Sequence, residues 1–337
     1  MNLIERLAVV GSGASSIYLL KHLLDHASSL KGHLQEISIF ERQDITGMGM
    51  PYNPKTTDHY NMSNISSEEL PELPVTFGDW LRSQDSAVLE ELRIEREAIS
   101  DSEVYNRLAL GQYLQAQYKR LIAELAAAGV RIHEQPDCEV VDLEEHPEGG
   151  IITLVTQKGD RLAFERVVIA TGHSWGGEDR PSEGYYASPW PIYKLLPDTE
   201  QLHNFAIGTL GASLSAFDVI SSLAHRHGEF VETADGMTFH PHSGTEQFKI
   251  VMHAANGLLP HLQFDQEEPL REIYRHVDRV HLLALVDAQG FLRFETYFDK
   301  VCRPALSQAF AKDGMTEMVA RLAEPTFGIS AFVEKMT

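Results

Sequence analysis

Gly11 and Gly13 stand two residues apart, directly after the apolar run Leu7-Ala8-Val9-Val10, in the stretch VVGSGASS. Glycine at the first position permits a tight turn. At the second it removes a side chain where backbone must approach a pyrophosphate. Residues 14–27, ASSIYLLKHLLDHA, place Ile17, Leu20, Leu23 and Leu24 on one helical face. The start of such a helix offers N–H donors and a favourable field to an anion. Ser16 takes the place usually held by a third glycine or alanine. It is small enough for helix to pack on strand, and its hydroxyl can bond back into the backbone. Glu41 follows Gly13 by 28 residues and ends the next strand, EISIFE. Its carboxylate can accept both hydroxyls of a ribose and would repel a 2′-phosphate, so the turn suits FAD or NAD better than NADP. The alternative at this point is a chance glycine turn with a solvated Glu41.

A second stretch, GASLSA at 211–216, follows the strand NFAIGT and opens an apolar helix. It reads as GxGxxA with Ser213 at the middle glycine, so Gly211 and Ser213 become candidates for the pyrophosphate of a nicotinamide cofactor. The alternative is a Rossmann-like scaffold kept for packing. The strand Lys249–His253 is followed by Ala254-Ala255-Asn256-Gly257, without the Arg or Lys that NADP sites place there. NADH or a degenerate site therefore gains weight over NADPH. Between the first two strands and the first long helix lies GMGMPYNPKTTDHYNMSN at 47–64. Gly47 and Gly49 permit close backbone approach, and Asn61 and Asn64 offer donors and acceptors. Such a loop lines a flavin or substrate, or is an ordinary surface loop.

These turns need parallel strands and crossover helices to hold them. The order strand, turn, helix, strand at 7–41 gives two adjacent parallel strands with a right-handed crossover. A helix at 111–128, strands near 130–134, 138–145, 151–156 and 164–173, and a further strand, helix and strand over 204–253 complete an α/β pattern. The expected class is a Rossmann-like FAD-binding domain with a second, inserted NAD(P)-binding Rossmann-like domain. The expected boundaries are 1–175 with a helical insertion at about 65–128, a connector at 176–200, the second domain at 201–260, and a mixed helical region at 261–337 that returns to the first domain or stands apart.

The 337 residues suffice for about two domains. The formal charge of −21 argues against an extended nucleic-acid surface. No run approaches ~18 apolar residues, so no membrane span is expected. The N-terminus shows no basic region followed by an apolar block, and two cysteines, Cys138 and Cys302, make neither a cluster nor a CxxC. A cytoplasmic setting is expected. The 16 histidines lack metal-site spacing, so no metal is expected.

Through VVGSGASS, IFER, GMGMPY, YNMSN, TFGDWL, RLALGQYL and ATGH, the chain resembles bacterial FAD/NAD(P)-binding proteins of the two-dinucleotide-domain flavoprotein superfamily. More distantly it is similar to N-hydroxylating and Baeyer–Villiger-type flavin monooxygenases. The resemblance covers roughly residues 5–260. It implies FAD at the first turn, through Gly11, Gly13, Ser15, Ser16, Glu41, Arg42 and Asn61, with Val140 or Val141 approaching the adenine through backbone. Gly49 matches the glycine segment of those relatives, and Thr171 and Gly172 of the ATG turn mark the crossover between domains. By their place in the loop, Tyr52, His59 and Asn64 are expected neighbours of the flavin ring. Arg107 reaches a phosphate or the acidic strand end, or serves as a surface or salt-bridge residue. His173, Trp175, Trp190 and Tyr193 stand near that crossing. The second turn, with Asp218 at its acidic end, matches the nicotinamide segment.

What the resemblance implies chemically is an FAD-dependent oxidoreductase driven by NAD(P)H, with a monooxygenase acting on a small molecule as the leading subtype. The competing reading is a non-catalytic nucleotide-binding protein or regulatory subunit. Many relatives close the flavin pocket with a Gly-Asp segment near the end. Here Gly328 in PTFGISAF is a remnant without its Asp. A divergent segment, a shortened one, a homo-oligomer and a complementary subunit all remain open.

Overall fold

The computed structural model describes residues 4–146, 148–173, 176–197, 201–234, 236–260 and 277–336. The chain divides into two compact units, Met1–Leu262 and Gln263–Thr337. Trp175 lies outside the described residues.

The first unit is built on a parallel sheet of four strands: β1 (Ile4–Val10), β2 (Leu34–Phe40), β3 (Arg131–Gln135) and β7 (Arg166–Ile169), in the order β3-β2-β1-β7. β1 alternates between two layers. Leu7 and Val9 enter the main apolar cluster with Ile17 and Leu20 of α1 (Ala14–Asp25) and with Tyr113, Tyr118 and Leu121 of α5 (Arg107–Ala127). Ala8 and Val10 point the other way, onto Leu154 and Phe164. Those two belong to an antiparallel meander of β4 (Val140–His146), β5 (Ile151–Thr156) and β6 (Arg161–Phe164). Period-two alternation along one strand thus sets a helical layer and a meander on opposite faces.

The helical face is completed by α2 (Ala27–Leu30), α3 (Phe77–Ser83) and α4 (Ser86–Glu91). Thr76 and Asp85 cap α3 and α4, each accepting from the N–H three residues on. α5 begins at Arg107, four residues before the expected Gly111, because Asn106 accepts from the Ala109 N–H and fixes the first turn. The expected strand at 164–173 is shorter, ending at Ile169, and is preceded by a break between β6 and β7.

A second parallel pair, β8 (Ala206–Leu210) with β11 (Lys249–His253), is bridged by α6 (Leu214–His227) and by a hairpin of β9 (Gly228–Thr233) and β10 (Gly236–Pro241). The hairpin has no periodic signal in the sequence, since its residues are mostly exposed on both faces. Val219 and Leu223 of α6 pack with Trp190 and Ile192.

The second compact unit is helical by itself. Phe298, Leu322 and Phe327 form its core, and Arg303 donates to the Phe327 carbonyl at 2.8 Å and to the Leu322 carbonyl. Among the described residues no helix is long and apolar enough to cross a membrane.

Candidate functional site

At the end of β1 the Gly11 N–H donates to the Phe40 carbonyl at 2.8 Å, tying the turn to the end of β2. Gly11 has φ +100°, and a Cβ there would press into the carbonyl of Ala170, at the end of β7. Glycine is therefore required twice, by conformation and by space. Ser16 is fully buried and donates its Oγ to the Gly11 carbonyl at 2.6 Å. The departure from a small apolar residue supplies a lock on the turn. Gly13 caps α1 without a side chain. A Cβ on it would stand 3.2 Å from the Cα of Gly49, which itself has φ +77°. The two loops meet glycine to glycine.

Glu41 is held from three directions. Its Oε2 accepts from the Ser12 N–H at 3.1 Å and from the Ser12 Oγ at 2.6 Å; its Oε1 accepts from the Gln43 N–H at 3.0 Å. Ser12 Oγ in turn accepts from the Gly47 N–H at 3.0 Å. The carboxylate keeps a lone-pair direction on Oε1 for a ribose hydroxyl. Ser12 was not singled out from sequence, although a small hydroxyl between two turn glycines was visible there.

These groups open onto a cavity of about 1080 Å³. It lies at the carboxyl ends of β1, β2 and β7, where open α/β sheets bind ligands. Gly11, Gly13 and Ser15 line it from the first turn, Glu41 and Arg42 from the end of β2. Gly49 and Tyr52 line it from the following loop, and Thr171, Gly172 and His173 from the turn after β7. Tyr52 is placed by Gly111 of α5, where any Cβ would meet the Tyr52 backbone. Burial raises its phenol above the ordinary value, so the ring presents a protonated hydroxyl. The sequence reading missed Lys55, Asp179 and Lys194, which also line the cavity. Lys194 pairs with Asp179 at 2.7 Å and Lys55 with Asp44 at 2.6 Å.

Several expected residues lie outside that lining. Ser16 is turned into the Gly11 backbone, as above. Val141 is 58% exposed, whereas its neighbour Val140 lines the cavity; the pairing of β4 with β5 shifts register between Val140 and Asp142 and leaves Val141 without a partner across the ladder. Asn64 is exposed. Asn61 is fully buried but faces α6: its Nδ2 donates to Ser222 Oγ at 2.9 Å and to the Asp218 carbonyl at 3.2 Å, while its Oδ1 accepts from Thr57. Arg107 donates to Asp218 at 2.6 Å and to the Met62 carbonyl at 3.0 Å, and its guanidinium lies over the ring of Trp190, itself a lining residue. Desolvation pushes the Asp218 carboxyl up to about 6 against the pull of Arg107. Asn61, in the loop before α5, and Arg107, at the start of α5, therefore tie that region to α6. His59 is likewise outside the lining, with burial holding its imidazole below the ordinary value.

The second turn repeats the first in register. The Gly211 N–H donates to the His253 carbonyl at 2.8 Å, and Ser213 caps α6 with extended backbone, as Gly13 caps α1. Gly211 has φ +128°, with nothing within 4 Å of a Cβ built on it. Gly211 and Ser213 line a separate cavity of about 710 Å³ at the carboxyl ends of β8 and β11.

The family described as FAD-NAD(P)-binding matches residues 8–174, the span that carries the first turn, Glu41, the Gly49 loop and the turn after β7. That match makes residues 8–174 similar to an FAD-NAD(P)-binding domain. The domain's fit to FAD rests on its own geometry: a glycine turn whose Cβ space is closed by backbone, a helix start without a side-chain cap, and a carboxylate with acceptor capacity left. The chain is 31% identical over 261 residues to an uncharacterized protein, YdhS, of Escherichia coli K12, covering 77% of this chain and 47% of that relative. It thus spans about half the length of that relative. Solved structures with partial similarity include cyclohexanone monooxygenase bound to cyclohexanone, at 16% identity and TM-score 0.39 over 66% of this chain and 37% of that one. Another is DfoA bound to FAD, the cadaverine monooxygenase of Erwinia amylovora, at 17% identity and TM-score 0.28 over 60% and 42%.

Proposed function

We propose that the protein is an FAD-dependent oxidoreductase that takes its electrons from NAD(P)H and acts on a small molecule. The observation that carries this reading is the cavity at the ends of β1, β2 and β7, where the Gly11–Gly13 turn, Glu41 and the Gly49 loop converge. In this reading the first turn of α1 holds the pyrophosphate through Gly13 and Ser15 backbone. Glu41, fixed by Ser12, holds the adenosine ribose. Val140 backbone meets the adenine. Arg42, at the cavity mouth beside Glu139, balances phosphate charge. The part of the lining that carries Tyr52, Trp190 and Lys194 receives the redox end of the cofactor and the substrate. Bound FAD supplies two-electron redox chemistry with NAD(P)H as its reductant.

The chain's own contribution there is orientation and exclusion of water. Trp190 gives an apolar wall, held by the Arg107 guanidinium over its ring. Tyr52 presents an O–H, and Lys194 an ammonium neutralised by Asp179. The second cavity, at Gly211 and Ser213, receives the nicotinamide dinucleotide. A monooxygenase on a small substrate is the finer form of the proposal.

Purified protein reconstituted with FAD is expected to show a protein-bound oxidised-flavin spectrum at one flavin per chain. Anaerobic addition of NADH or NADPH is expected to bleach it, and admission of oxygen with candidate substrates then separates an oxygenase from a reductase. Protein that takes up no FAD defeats the proposal. Protein that binds FAD yet is bleached by neither nucleotide favours a non-catalytic nucleotide-binding role.

A further inference from the structure

The two turns correspond in strand pairing, hydrogen bonding and helix start, and this identifies one position in the second site. Val10 pairs with Phe40 at the top of β1 and β2, and Leu210 pairs with His253 at the top of β8 and β11. In both, the glycine that follows the first strand donates its N–H to the last carbonyl of the second strand at 2.8 Å. Each helix then begins three residues after that glycine. The residue after Phe40 is Glu41, so the residue after His253, Ala254, stands where the second nucleotide presents its adenosine ribose. Ala254 lines the second cavity.

Glu41 can accept a ribose hydroxyl and repels a phosphate on that ribose. Ala254 does neither. Among the described residues lining the second cavity, His253 is the one titratable side chain, and its ring lies back over Gly208 of β8. Ala255 and Asn256 follow without a cation that would select a 2′-phosphate. The remaining walls, from Leu210, Leu258, Leu259 and Pro260, are apolar. They suit an adenine face and carry no charge preference.

We propose that the second site does not discriminate between nicotinamide dinucleotides with and without a 2′-phosphate, and that Ala254 is the residue that sets this indifference. The inference rests on the proposed nicotinamide role of the second cavity. Specificity is a difference of two affinities, and both the attractive and the repulsive elements that create one are missing at 254–256. Installing one of them there creates a preference.

The test is equilibrium binding of NAD⁺ and NADP⁺ to FAD-reconstituted protein by titration calorimetry; the oxidised nucleotides bind without reducing the flavin. In the wild type the two dissociation constants are expected to agree within about threefold. In Ala254→Asp, NADP⁺ is expected to weaken by more than about tenfold while NAD⁺ changes little or tightens. In Ala254→Arg, NADP⁺ is expected to tighten relative to NAD⁺. Ala254 is half-buried at a cavity wall, so both variants retain FAD, and retained flavin absorbance reports their folding. A wild type that separates the nucleotides by more than tenfold overturns the inference and leaves the nicotinamide site standing. So does an Ala254→Asp variant with an unchanged ratio. Binding of neither nucleotide overturns the nicotinamide site itself, and the inference with it.

Discussion

At the first turn Ser12, Gly13, Ser16 and Glu41 stand where the second has Ala212, Ser213, Ala216 and Ala254. The backbone is the same: a positive-φ glycine, an extended cap residue, and a glycine N–H on the neighbouring strand's last carbonyl. The surroundings differ. β1 has strands on both sides, and the turn after β7 closes over Gly11. β8 is paired only with β11 among the described residues, and Gly211 looks into open space. One turn is walled and cross-linked through Ser12, Ser16 and Glu41; the other has a hydroxyl on its glycine carbonyl, Thr209 Oγ1 to Gly211 at 2.9 Å, and no carboxylate beside it. A common loop can thus be a fixed cradle or an open landing site, depending on the strands beside it.

The largest effect should come from adding a side chain at the two equivalent glycines. Gly11→Val must adopt φ +100° and displace the Ala170 carbonyl, and the strain and overpacking together cost roughly 4 kcal/mol. FAD uptake is expected to be lost and the urea midpoint to fall. Gly211→Ala meets no neighbour, so only the conformational strain of about 1–3 kcal/mol applies, and FAD should stay bound. Equal losses from both substitutions would mean that the second turn is as tightly enclosed as the first.

The helices behind the turns differ as well. α1 rests on apolar residues, Ile17 and Leu20, against α5, whereas α6 is held through Asp218 and Ser222 by Arg107 and Asn61. Arg107 and Asp218 are both well buried, with side chains 15% and 7% exposed. Arg107→Met strands the carboxylate and should cost about 3 kcal/mol by denaturant unfolding. Because burial raises the folded-state pKa of Asp218 to about 6, the folded chain keeps this proton at higher pH than the unfolded chain. The group's stabilising share is therefore complete below its unfolded value of 3.8 and is lost as pH rises through about 6. The stability gap between wild type and Asp218→Asn should narrow from pH 4 to pH 7. A gap that widens over that range would mean that the ion pair outweighs burial.

Sequence carried the local part of this far better than the tie to α6. β1, α1, β2 and Glu41 were legible because glycine spacing, a 3.6-residue apolar period and a strand-ending acid all act within 41 residues. The second turn was legible for the same reason. A salt bridge was one of the readings open for Arg107, but its partner Asp218, 111 residues away, and the Ser222 partner of Asn61, 161 residues away, were not legible, because no local pattern marks a long-range polar contact. Lys55, Asp179 and Lys194 were not legible either: they reach the cavity from loops and from a single 3-10 turn, Ile192–Leu195, too short to show a period. Sequence left Val140 and Val141 as alternatives; the fold puts Val140 in the cavity lining and leaves Val141 exposed.

Ser12 sharpens the comparison more finely. Its hydroxyl serves Glu41 and Gly47 at once, at 2.6 and 3.0 Å. Ser12→Ala leaves the buried Gly47 N–H without that acceptor and frees one side of Glu41. The expected loss is about 1–2 kcal/mol of stability, with FAD affinity lowered by roughly tenfold. The reciprocal Ala212→Ser has no carboxylate to serve, since Ala254 replaces it, and FAD binding should not move. An unchanged FAD affinity in Ser12→Ala would remove Ser12 as the residue that positions Glu41.

The smallest effect is expected where the second turn departs from glycine. Ser213 caps α6 yet makes no side-chain cap hydrogen bond. Ser213→Gly therefore gives up only a few tenths of a kcal/mol of helix stability. What it gains is the space of a Cβ at the point where backbone must approach a pyrophosphate. NAD⁺ and NADP⁺ should each tighten by roughly threefold, by the same factor, because the change acts on the phosphates they share and not on the ribose that distinguishes them. A change in one nucleotide alone would place Ser213 near the ribose and shift the equivalence of the two turns by at least a residue. No change in either would leave the serine as a neutral occupant, and the second turn as the more tolerant of the pair.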